Sequence, residues 1–196
     1  MALSKIDVAN MLTGSTPVAN GGTGLSSGTT NQFLKFTGST TLASAADNEG
    51  KVLQVVNAVQ STEYTRTATS FGASSTGVEI TPSATSSKVL IQIHCGQIEI
   101  GNNSAQGITA KLVRSIGASD TDLIAQLQNN AGAFTNLNHA VYRTFTGHIS
   151  LSYLDSPNST GVCQYRIYVK CYNTNTYIGV QMGSTSSTFT AMEIGA

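Results

Sequence analysis

From Cys163 to Cys171 the chain alternates without a break. The odd positions are Cys163, Tyr165, Ile167, Val169 and Cys171, and the even ones are Gln164, Arg166, Tyr168 and Lys170. Only a β-strand returns every second side chain to the same side, so the odd set is predicted to face a core. The stretches around it read the same way. "KVLQVVNAVQ", "GVEIT", "KVLIQIHCGQIEI", "ITAKLVRSI" and "TDLIAQLQ" precede "HAVYRTFTGHISLSYL", "CQYRIYVKCY", "TYIGVQM" and "STFTAMEI", with Ser/Gly/Asn/Pro clusters between them. None carries a 3.6-residue period, and short strands at regular spacing predict an all-β sandwich or barrel. Val141, Phe145, Ile149, Leu151 and Tyr153 are expected on one face, opposite Tyr142, Thr144, His148 and Ser150. Val89 to Cys95 should bury its odd positions, whereas beyond Gly96 the apolar positions are Ile98 and Ile100. That change of phase predicts a bulge at the glycine.

The chain divides near residue 50. Residues 51–196 form the predicted β-sandwich, and residues 1–50 are a low-complexity segment. Leu3, Ile6, Met11 and Leu12 suit a short helix ended by Gly14. "FLKFTGSTTLAS", Phe33 to Ser44, places Gly38 between two apolar pieces and reads as a small hairpin or shaft element. A segment of this kind buries too little surface to fold alone and needs a partner.

The glycine-rich run "TPVANGGTGLSSGTTNQFLKF" invites a phosphate-loop reading and fails it. A P-loop places Lys and Ser/Thr directly after its last glycine, but Gly28 is followed by Thr29, Thr30 and Asn31. A dinucleotide fingerprint wants a third glycine where Ser27 stands. The glycines and Pro17 instead set turns and extended chain.

Charge excludes other classes. Charged residues make up 10% of the chain and the formal net charge is +0, against about 25% charged residues in an average domain. Nucleic-acid binding by counterion release needs clustered Lys and Arg, which are missing. The surface must be rich in neutral Ser, Thr, Asn, Gln and Gly. No apolar run reaches membrane-helix length, and the N-terminus lacks the apolar core of a signal peptide. A protein of this kind that works outside a cell leaves it by a route other than a cleaved secretion signal, and lysis is one such route.

No catalytic, cofactor-binding or metal-binding residues are expected. Cys95, Cys163 and Cys171 lack paired spacing for zinc and read as reduced, buried thiols. His94 and Cys95 point to opposite faces, as do His139 and His148 on a regular strand. Asp120 and Asp122 could hold Ca²⁺ or cleave a glycoside, but read as a solvated turn before Leu123. Asp155 to Asn158 reads as a turn in which Asp155 bonds local backbone. No G-x-S-x-G elbow occurs.

"PVANGGTG" (Pro17 to Gly24) resembles a stretch recurrent in bacteriophage tail-fibre proteins. "EGKVLQVV" (Glu49 to Val56), "ITPSATSSKVLIQI" (Ile80 to Ile93), "SLSYLDSP" (Ser150 to Pro157) and "TAMEI" (Thr190 to Ile194) resemble, in that order, a repeated module of phage virion fibres. Such heads are similar to the trimeric jelly roll of tumour-necrosis-factor-like proteins. The resemblance implies a virion structural protein with a jelly-roll head and an extended N-terminal anchor. Two roles fit it: a homotrimeric tail fibre that touches the host surface, or a capsid decoration (head-fibre) protein without a receptor. Under either, Leu3, Ile6, Met11 and Leu12 are the candidate virion-attachment residues. Tyr142, His148, Tyr168 and Tyr172 make an aromatic, poorly charged second face and are the candidate trimer interface. Asn102, Asn103, Asn136, Asn138, Asn173, Asn175 and Tyr177 lie in predicted loops. They are candidate contacts for a neutral host glycan, though the same loops read equally as plain solvated connections.

Overall fold

The structure is a computed structural model that describes residues 23, 25, 28–39, 41–45, 50–74, 77–101, 108–125, 145–171 and 177–195. The chain forms two compact units, Met1–Asn48 and Glu49–Ala196. The described part of the first is a two-stranded antiparallel hairpin, β1 (Phe33–Phe36) with β2 (Leu42–Ala45). The turn between the strands includes Gly38, as the sequence predicted. The proposed helix over Leu3 to Leu12 lies outside the described residues.

The second unit, the head, is all β among its described residues. Thirteen strands run in order: β3 (Val52–Gln60), β4 (Tyr64–Arg66), β5 (Gly72–Ala73), β6 (Val78–Ile80), β7 (Lys88–His94), β8 (Ile98–Gly101), β9 (Ile108–Ile116), β10 (Ser119–Ile124), β11 (Phe145–Gly147), β12 (Ser150–Asp155), β13 (Cys163–Cys171), β14 (Tyr177–Val180) and β15 (Ser187–Ile194). Three sheets result, in strand order β12-β7-β15-β3, β10-β9-β13-β5 with β6 also on β13, and β11-β8-β14-β4. Eight of these strands pair from the outside of the chain inward: β3 with β15, β6 with β13, β7 with β12, and β9 with β10, each antiparallel. First pairs with last, second with second-last, and so on to the middle. This is the wrap of a jelly roll, and the predicted fold class holds.

The core follows from the alternation. In β13 the odd positions are buried and the even ones partly exposed. In β7 Val89, Ile91 and Ile93 are buried, and Cys95 just beyond it joins them. They meet Leu112, Tyr165, Ile167, Phe189 and Ala191 from the other strands in one cluster. Burial of each large apolar side chain contributes about 1.5–3 kcal/mol. Ile98, Ile178 and Val180 bring the third sheet into the same cluster.

Two local expectations are corrected. The phase change at Gly96 is not a bulge within a strand: β7 ends at His94, and β8 starts a different sheet at Ile98. A Cβ at Gly96 would stand 2.6 Å from Thr185 Oγ1, so only glycine lets the chain cross there against residues 185–186. Its N–H and that of Gln97, released from the ladder, donate to Ser187 Oγ at 2.9 Å and Thr185 Oγ1 at 2.7 Å. "TFTGHISLSYL" is two strands in two sheets, not one. Its Ile149 is buried and His148 exposed, but the expectation on Val141 falls outside the described residues. "VLQVVNAVQ" is a strand, as expected, with one side open. β3 borders one sheet only, and Val52, Val55 and Val59 face out at 54%, 57% and 59% exposure.

Candidate functional site

Asp155 ends β12 and is buried, and its partners are distant side chains rather than the local backbone of the expected turn. Arg114, on the inward side of β9 opposite Tyr165, donates through Nη1 to both of its oxygens at 2.9 and 2.8 Å. Tyr165 Oη donates to Asp155 Oδ2 at 2.8 Å. Burial first, then this bond to a carboxylate, pushes the Tyr165 phenol far above its ordinary range. The three groups tie β9 and β13 of one sheet to β12 of the other. Arg114 Nε is buried in the cluster without a hydrogen-bond partner among the described residues, while Nη1, the carboxylate and the phenol form a structural bridge.

The outward face of β9, β10 and β13 differs from the aromatic, poorly charged surface expected around Tyr168. Lys111 Nζ meets Asp122 Oδ1 at 2.7 Å. Asp120 accepts from Ser115 Oγ at 2.5 Å and from Tyr168 Oη at 2.9 Å. The Ser115 bond, with Tyr168 second, holds the Asp120 carboxyl below its usual range. Lys111 and Arg166 lie 5.4 Å from the Tyr168 ring centroid, and Lys111 and Lys170 lie 4.9 and 4.8 Å from that of Phe71. Each cation over a ring is worth about 0.5–1 kcal/mol at exposed sites. The two aspartates therefore sit on a strand, where their charges are matched by neighbours. Tyr168 is engaged by them and is not a bare apolar patch.

His148, the other described member of the expected interface, is exposed and stacks on His94, with centroids 5.7 Å apart and planes at 18°. Ser150 Oγ lies 2.7 Å from His94 Nδ1. Pairing of β7 with β12 brings these histidines together, which spacing in sequence did not reveal. Among the described residues no three His, Cys, Asp or Glu side chains are grouped to hold a metal ion. Tyr142 and Tyr172 lie outside the described residues, as do Leu3, Ile6, Met11 and Leu12. So do Asn102, Asn103, Asn136, Asn138, Asn173 and Asn175. Tyr177, the remaining glycan candidate, starts β14 half-buried. Its ring covers Gly101, where a Cβ would collide with it, and its hydroxyl donates to Glu99 Oε1.

The free surface that sequence reading missed is the outer side of the β12-β7-β15-β3 sheet. Register aligns Leu154, Leu90, Met192 and Val55 as one row across all four strands. Leu154 is 51% exposed and Val55 57%. A signal for it was present: β3 is apolar at both parities, Val52, Val56 and Ala58 against Val55 and Val59. A strand of that kind is normally covered on both faces.

The three thiols are buried, and none is bonded to another in a disulfide. Burial drives Cys95 up to about 12 against a smaller opposing bond from Ser187, and burial likewise raises Cys163. Cys171 Sγ donates to the Arg66 carbonyl at 3.1 Å. A thiolate is the reactive form, so the folded protein is expected to take up almost no Ellman reagent at pH 8. All three should react on addition of denaturant. Fast labelling of the native protein would show that the inward face has been misassigned.

No known protein family matches the sequence, and no curated protein does. Among solved structures, the infectious bursal disease virus VP2 subviral particle aligns at TM-score 0.34 and 10% identity, over 83% of this chain and 42% of that one. The structure of the Gx strain of the same virus aligns at TM-score 0.29 and 11% identity, over 83% and 41%. Dimeric latent PorU from Porphyromonas gingivalis aligns at 0.25 and 11%, over 77% and 14%. The chain thus spans about two fifths of the length of the viral capsid proteins it aligns with. Likeness at this level identifies no family.

Proposed function

We propose that this chain is a phage virion structural protein, a homotrimeric tail fibre. Its N-terminal segment anchors it to other virion proteins, and its head meets the host surface. The observation that carries the reading is the outside-in jelly-roll pairing of the head, found in a chain whose motifs run in the order of virion fibre modules. The neutral surface supports it, because a contact without net charge suits a host glycan better than an anionic polymer. The work of such a protein is positioning and contact, not catalysis.

Immunogold labelling of intact particles tests the location. Label at the tail is expected. Label spread over the capsid would replace the tail-fibre role with capsid decoration, and absence from purified particles would end the virion reading.

A further inference from the structure

We infer that the outer side of the β12-β7-β15-β3 sheet is where copies of this chain pack together; the inference rests on the self-assembly part of the reading above. The row Leu154–Leu90–Met192–Val55 runs across the sheet, and Ile194 paired with Val52 extends it by another step. Leu154, Val55 and Val52 are each more than half exposed, at 51%, 57% and 54%. Single exposed apolar residues need no explanation, but exposed ones linked across the sheet by the partly exposed Leu90, Met192 and Ile194 do.

The identity of the occupant follows from charge and from the sheet edge. Among the described outward-facing positions of these four strands, Lys88 is the single formally charged residue. A face so nearly uncharged meets a copy of itself with little like-charge repulsion, and it offers no charge pattern to select a different protein. The other outward face, with Lys111, Arg166, Asp120 and Asp122, has its charges matched internally. The sheet also ends on β3, nine residues without charge or proline. Exposed edges are ordinarily kept apart by charge, proline or a bulge, and β3 has only the irregularity between Val52 and Gln54, which leaves the rest of the edge open to a second copy.

Area refines the assembly. Four strands about 4.8 Å apart and some eight residues long cover about 500 Å². A stable pair buries about 800 Å² per partner. The face alone is short of that, so the assembly draws on a second contact. The N-terminal hairpin offers one of the same chemistry, with Leu34 55% and Phe36 63% exposed on one side. A lone hairpin is marginally stable in water, so it too requires cover.

The test measures the mass of the full-length protein by light scattering after gel filtration, with circular dichroism to verify folding. The parent should be a multiple of the 20.4 kDa chain. Val55→Lys and Leu154→Lys place an unpaired charge in the contact and should weaken assembly about 100-fold. Val162→Lys, on an equally exposed apolar residue outside these strands (52%), should leave it intact. The double variant Val55→Thr/Leu154→Thr keeps the strand pattern and should weaken assembly in the same direction should the lysine variants fold poorly. Folded variants that remain as assembled as the parent would move the interface elsewhere while leaving self-assembly standing. A monomeric parent would overturn self-assembly itself.

Discussion

Asp155→Ala is expected to destabilise the head by about 3–5 kcal/mol, the loss that follows when one partner of a buried ion pair is removed. Truncation leaves the Arg114 guanidinium, whose side chain is 14% exposed, without its carboxylate in the interior. Tyr165, fully buried, loses its acceptor at the same time. Tyr165→Phe removes one hydrogen bond to a charged group and should cost about 1.5–3 kcal/mol. Arg114→Met with Asp155→Leu removes the whole ion pair, so it should recover much of the Asp155→Ala loss. Urea unfolding followed by tyrosine fluorescence measures all three. An Asp155→Ala protein within 1 kcal/mol of the parent would mean that the bridge across the sandwich contributes little.

Acid should remove a second block of stability through Glu193. Burial would raise this carboxyl, but Ser83 and Gln54 overcome it and hold it at about 2. Ser83 N–H and Oγ donate to Oε1 at 2.7 and 2.6 Å, and Gln54 Nε2 to Oε2 at 2.6 Å. Because the folded value lies below the unfolded one, the contribution is complete above about pH 4.5 and is lost as pH falls towards 2. Its size is about 3 kcal/mol. Glu193→Gln puts an NH₂ where an acceptor stood and should cost about 1–3 kcal/mol at neutral pH. Unfolding free energies at pH 6, 4 and 2.5 should show parent and variant converging in acid. Parallel pH profiles for the two would assign the acid loss to other carboxylates.

What could be read from the sequence was what lies within one strand. The alternation of β13 located its core face residue by residue, and Val89 to Cys95 did the same for β7. What depends on which strands meet was hidden. Asp155 looked like a local turn former because its partner, Arg114, is 41 positions away. Asp120 and Asp122 looked solvated because Tyr168 and Lys111 reach them only through the β9-β13 and β9-β10 pairings. Gly96 was rightly marked as a break in pattern, but a change of phase is the same whether a strand bulges or changes sheet. Tyr168 was chosen for its ring, and the cations around it come from β9 and β13. The missed face failed for the opposite reason: the apolar run of β3 was legible, and its position at a sheet border was not.

The jelly-roll pairing has a consequence for how the protein is made. β15, the last described strand to leave the ribosome, occupies the middle of its sheet, with β3 on one side and β7 on the other. Until it is synthesised, the nascent β3 has no strand partner, and its outward valines wait in water while β4 to β14 are made. Contacts between such distant parts form late and slowly. A growing chain of this design is therefore most vulnerable to association with other nascent chains until β15 emerges. Chains made close together on one message would be well placed to use that interval, pairing as copies while the centre of the sheet is still vacant.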